Sequence, residues 1–166
     1  MHVLLAISAV LLALLLTMSG ALATSAPQVY VYYNGTVVFY PGGVTEFRLV
    51  GENVTPITVL GSGYKLINGT LYFSSTTTKI EYEANFSSGV IQMLEPFNVT
   101  LYLVLPYNYS LVYSNPPPSA VISSNGLYEV LIRGNDVYAV LAEASQLTTS
   151  RQANSQGSGS EALVGL

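Results

Sequence analysis

The sequence has no cysteine, no tryptophan and a single histidine, His2. Without cysteine there are no disulfides, no thiolate metal ligands, no thiol nucleophile and no site for a lipoprotein lipid. With its only histidine at position 2, the body of the chain lacks Ser-His-Asp catalysis, a histidine general base and His-ligated zinc. Asp136 is the one aspartate, so a single chain has no aspartic dyad. Charge is scarce as well. Charged residues make up 8% of the chain, against about 25% in ordinary soluble domains. The net charge of −4 is mild, and the five cations Arg48, Lys65, Lys79, Arg133 and Arg151 are scattered. No basic stripe follows a phosphate backbone, so nucleic acid is not an expected partner. No EF-hand, phosphate loop or dinucleotide fingerprint occurs either. The expectation is a protein without metal or cofactor, and not an enzyme.

Glutamate is the acid that remains. Glu81 and Glu83 stand two apart on one strand, a spacing that can seat paired carboxylates of a glycosidase. The plainer reading is a solvated strand face beside Lys79. Gln92 and Glu95 are the nearest pair for a Glu/Gln peptidase on a β scaffold.

The chain of 166 residues allows one domain with a real core, and half of its residues are hydrophobic. With so little charge, its 18 Ser and 13 Thr must carry much of the solubility.

Val3 to Leu16 is an apolar run broken only by Ser8, followed by Ala21-Leu22-Ala23. This reads as a signal segment over 1–23 with cleavage between Ala23 and Thr24. The alternative is an uncleaved signal-anchor helix, since Val3 to Leu22 is just long enough to span a bilayer. Either way the rest of the chain is expected outside the cell, held to the membrane by that helix if it is retained. A secreted chain with no cysteine suggests an archaeal or other microbial surface, since small secreted eukaryotic domains usually rely on disulfides.

Six N-x-[ST] sequons follow: Asn34, Asn53, Asn68, Asn85, Asn98 and Asn108. Ten Asn and 31 Ser or Thr in 166 residues give about two by chance. All six fall where turns or strand ends are expected, beside Gly, Pro or Ser. Asn34-Gly35 and Asn68-Gly69 read as two-residue type I′ hairpin turns, because both positions favour positive φ. The expected reading is turn and glycan acceptor together.

From 24 to 147 the pattern is short apolar runs at close spacing, the mark of an all-β domain. In TEFRLV, Phe47 and Leu49 oppose Glu46 and Arg48; in TKIEYEA, Ile80 and Tyr82 oppose Lys79, Glu81 and Glu83. VTLYLVL, 99–105, is apolar at every turn of the pleat and predicts a central strand buried on both faces. YNGTVVFY, INGTLYF and SNGLYEVLI repeat one hairpin logic. Pro116-Pro117-Pro118 predicts a rigid connector, and YAVLAEASQL a last strand that can end in a helical turn. An antiparallel β-sandwich, immunoglobulin-like or jelly-roll-like, is the expected fold. Residues 148–166 read as a disordered polar tail. With its ionisable groups on exposed strand faces, the fold should rest on burial and backbone pairing and survive to about pH 2.

Thirteen tyrosines complete the picture. Tyr107, Tyr109 and Tyr113 surround a Pro-containing loop and are candidates for stacking on sugars, against the plainer reading of half-buried packing. The signal, the dense sequons, the Tyr/Ser/Thr-rich strands and the segment VTLYLVLPYNYSLVYSNPPPSAVISSNGLYEVLI resemble secreted and cell-surface proteins of thermoacidophilic archaea and their viruses. That resemblance implies an extracellular β-sandwich on a cell, filament or virion surface. The expected role is structural: a filament, surface-layer or envelope component whose partners are surface proteins, glycans or copies of itself. The alternative is a binding or sensing ectodomain that recognises glycans or a protein.

Overall fold

A computed structural model describes residues 25–61, 63–86 and 89–143. The signal segment 1–23, the Ala23–Thr24 junction, the end of the YAVLAEASQL stretch and the polar tail lie outside those residues. Among the described residues there is no α-helix, and no helix long and apolar enough to cross a membrane.

Eleven strands form the body: β1 Gln28–Tyr32, β2 Thr36–Tyr40, β3 Glu46–Arg48, β4 Ile57–Leu60, β5 Tyr64–Ile67, β6 Thr70–Phe73, β7 Lys79–Glu83, β8 Val90–Pro106, β9 Tyr109–Asn115, β10 Ala120–Ser124 and β11 Leu127–Glu143. The larger sheet runs β10-β11-β8-β1-β2-β7-β4, with β9 also on β11; a smaller one runs β3-β6-β5. The fold is all-β, as expected, and its two layers are consistent with a sandwich. It is not purely antiparallel: β1 pairs parallel with β8, Tyr30 opposite Tyr102. The reason is topological. Parallel neighbours need a long crossover, and the chain from β2 to β7 supplies one before β8 arrives beside β1.

Two strands are far longer than the periodicity suggested, at 17 residues each. β8 and β11 stay paired through a register shift between Gly134 and Asp136. There they bend, as bulged ladders do. The first part of β11 carries β10 on its free side and the second part carries β9. Both long strands stay in the larger sheet on either side of the shift, and Pro116–Pro118 links the two edge pieces as the connector expected.

The core lies between the layers. Phe39 of β2 stacks on Phe47 of β3 with centroids 4.0 Å apart, and Phe73 of β6 meets Phe39 edge-on. Val29, Leu101, Leu103, Ile80 and Ile132 are fully buried around them, as strand alternation dictates. The opposite face of the larger sheet is also partly apolar. Val38, Val104 and Leu131 are buried there, beside the Tyr30–Tyr102 pair stacked at 4.3 Å. The 99–105 segment is thus central and largely buried on both faces, its second face sheltered by tyrosine rings.

All three Asn-Gly sites form hairpins, but not one type of turn. Asn68-Gly69 and Asn125-Gly126 have positive φ at both residues, the type I′ pattern. At the first hairpin only Gly35 has positive φ (94°), and the loop spans Tyr33-Asn34-Gly35. The expected type I′ turn is replaced by a three-residue loop with glycine in the left-handed position. Thr36 N donates to Asn34 Oδ1 at 3.1 Å, so the asparagine side chain does what a left-handed backbone would otherwise do.

Candidate functional site

All six sequon asparagines are exposed. Exposure alone does not single them out, since Asn115, Asn125 and Asn135 are exposed too. Their grouping does. Ala84 N donates to Gly35 O at 2.9 Å, while Asn85 and Glu52 exchange two backbone hydrogen bonds at 2.8 Å. Asn34, Asn85 and Asn53 therefore sit on or next to a single short run of backbone bonds. Tyr33 and Tyr109 meet at 6.1 Å, which puts the loops of Asn34 and Asn108 at the same end of the sheet, where parallel β1 and β8 both finish. Four acceptors from four separate loops converge on one end of the molecule.

The geometry at each acceptor differs. Asn34 spends its carbonyl oxygen on Thr36 and leaves Nδ2, the atom that carries a glycan, free of that contact. Asn108 donates Nδ2 to Glu143 Oε1 at 3.2 Å on an exposed surface. Asn53 takes φ 52°, a conformation asparagine tolerates. Between these loops opens a cleft of about 540 Å³ lined by Val31, Tyr33, Phe86, Ile91, Tyr109 and Leu141. Asn68 is on the β5–β6 hairpin, where Gly69 O accepts from Leu49 N at 2.9 Å. Asn98 corrects the expectation that every acceptor is at a turn or strand end. It lies within β8, exposed, in the bulged stretch 95–98 that faces Asn135 alone on β11.

The tyrosines proposed to stack on a ligand do not share one platform. Tyr107 lies over Tyr128 at 6.3 Å with its hydroxyl on Ser123 Oγ; Tyr109 tilts against Tyr33; Tyr113 meets Tyr138 edge-on. Only Tyr109 lines the cleft. The closest group of tyrosines is Tyr30, Tyr40 and Tyr102, on the larger sheet's outer face. Tyr30 and Tyr102 turn their faces to each other, which leaves edges and hydroxyls outward. Burial pushes the Tyr30 phenol up to about 12, so it stays a neutral donor.

The carboxylates also separate. Glu81 pairs with Lys79, the solvated face expected, and Glu83 is exposed. Gln92 and Glu95 fall on opposite faces of β8, Gln92 exposed and Glu95 buried; alternation over three residues forbids their convergence. Glu95 was not expected to be buried. Both of its oxygens accept the backbone N–H of Arg48, at 3.0 and 3.3 Å. Burial pushes its carboxyl up to about 7 against the opposing pull of that N–H and of the Arg48 charge, while Glu46 nearby adds to the rise. The sequence carried one hint, an acid at an inward position of an alternating strand. Among the described residues no group of three His, Cys, Asp or Glu could hold a metal ion.

No protein-family model matches this chain, and no curated protein or solved structure matches it.

Proposed function

We propose that this chain is a non-enzymatic, N-glycosylated protein of a cell or virion surface, exported by its N-terminal segment and structural in role. One observation carries the reading: Asn34, Asn53, Asn85 and Asn108, far apart in sequence, surround one end of the fold with exposed side chains. Glycans there would sheathe that end with neutral, hydrated mass, which suits a surface with so few charges. The body is read as an immunoglobulin-like or jelly-roll-like sandwich, and the setting as the exterior of a thermoacidophilic archaeon or its virus. Intact-mass and glycopeptide spectrometry of protein from its native host tests this. Glycan mass on at least the four clustered asparagines is the expected result, and six unmodified asparagines would sink the reading.

The second reading is a binding or sensing ectodomain, favoured by the cleft beside Tyr33 and Tyr109. It predicts a ligand-dependent melting temperature, which a purely structural subunit lacks.

A further inference from the structure

Strand edges are where β proteins meet one another, and most proteins defend them. Here the edges are treated unequally. β9 carries a register shift opposite Val140 and Leu141, and β5 carries Lys65 in its middle. β3 is capped at Arg48 by Glu95 of β8. Two edges have no such device among the described residues. β10, Ala120–Ser124, and β4, Ile57–Leu60, contain no charge, no proline and no register shift. They are the two ends of the same sheet.

β10 is the more exposed. Val121 and Ile122 point to opposite faces, yet are 62% and 50% accessible, so the strand stands clear of the core on both sides. Its type I′ turn makes Ser124 and Leu127 the hydrogen-bonded pair. Val121 and Ser123 are then left with N–H and C=O turned away from β11. At the other end of the sheet Leu60 is 52% accessible. Sequons are sparse but not absent beside this edge: Asn115, Asn125 and Asn135 are not sequons, while Asn108 follows Tyr107, whose hydroxyl meets Ser123 Oγ of β10 at 2.8 Å. Asn53 stands beyond the end of β4, at the Glu52–Asn85 bridge.

We propose that β10 of one copy pairs with β4 of the next, so that the larger sheet continues from molecule to molecule. This names the partner for the structural role proposed above and rests on that reading. Direction supports it. From β10 to β4 the sheet takes six steps, of which only β1–β8 is parallel. Five reversals leave β10 and β4 running in opposite directions. A copy related mainly by translation therefore brings them together antiparallel, the stronger ladder. Had β1 paired antiparallel with β8, the same translation would give a parallel contact. Because the two surfaces differ, the contact is heterologous, and because successive copies are related mainly by translation it does not close into a ring, so it builds an open filament.

The test uses the full exported chain and two variants, V121K/I122K on β10 and T58K/L60K on β4. Val121, Ile122, Thr58 and Leu60 are at the edges and none is buried, and unchanged circular dichroism melts would show that folding is intact. Should either variant fail to fold, V121K or L60K alone takes its place. Sedimentation velocity and negative-stain microscopy read the assembly. The wild type should form assemblies that lengthen with concentration, and each variant alone should be monomeric. An equimolar mixture should stop at a heterodimer, because one intact β10 meets one intact β4. A wild type that stays monomeric, assembly that survives both variants, or T58K/L60K dimerising by itself would each overturn the proposal. Repeating the measurement on unglycosylated protein separates this contact from the glycan reading, since the edges need no sugar.

Discussion

Glu95 Oε1 accepts the backbone N–H of Arg48 at 3.0 Å, so a buried carboxylate of the larger sheet closes the free edge of the smaller one. Two residues on, Tyr82 does the same with a phenol. Val50 N donates to its hydroxyl at 2.9 Å, and the hydroxyl donates back to Val50 O. Side chains here replace the ladder partner that β3 lacks, and they satisfy backbone groups that cannot reach water.

Glu95 gives stability a pH dependence whose sign is favourable in acid. Its carboxyl titrates near 7 when folded, against an ordinary value of 4.5. The folded chain therefore holds the proton more tightly than the unfolded chain. The contribution is complete below pH 4.5 and is lost as pH rises through 7. After allowance for water reaching the site, about 1–2 kcal/mol is at stake, or about 3–8 °C of melting temperature between pH 5 and pH 8. Circular dichroism melts should show that fall in the wild type and little of it in Glu95→Gln. The β signal should persist to about pH 2; a wild type more stable at pH 8 than at pH 5 would contradict this account.

Tyr82→Phe removes one oxygen and leaves Val50 N–H and C=O without that partner inside the core. The expected cost is about 1–3 kcal/mol. Urea unfolding should show it as a lower midpoint with an unchanged slope.

Phe39 and Phe47 join the two layers face to face. Phe39→Ala should cost about 3–5 kcal/mol. In a double-mutant cycle with Phe47→Leu, using Phe39→Leu, the coupling should be about 0.5–1.5 kcal/mol. Additive costs would mean that the rings are held by the surrounding core alone.

The first hairpin lets turn and glycan be separated. Gly35 has φ 94°, and a methyl group there would lie 2.5 Å from Ala84 O. Gly35→Ala keeps the Asn34 sequon but should destabilise the fold by more than about 1 kcal/mol. Asn34→Gln should remove one glycan mass, with a stability loss of about 1 kcal/mol or less from the Thr36 N–H contact. Equal melting temperatures for Gly35→Ala and wild type would show that the loop relaxes freely.

Much of this was legible in local chemistry. Alternation in TEFRLV and TKIEYEA assigned Phe47, Ile80 and Tyr82 to the core, and all three are buried. Each Asn-Gly marked a hairpin, because turn geometry depends on only a few adjacent residues. The β-sheet character, the exposed sequons and the poverty of catalytic residues are likewise properties that neighbouring residues or simple counts decide.

Tertiary structure decided what depends on partners distant in the chain. Whether β1 meets β8 parallel or antiparallel is set by the path of the chain between them, and no pattern within QVYVY records it. The same holds for the gathering of Asn34, Asn53, Asn85 and Asn108, which loop crossings create. Glu95 and Gln92 look like neighbours in sequence, yet the pleat sends one inward and the other to solvent. The buried carboxylate is tolerated because Arg48, 47 positions away, offers an N–H that no strand claims. Local periodicity determines which face a side chain takes; only the assembled sheets determine what it finds there.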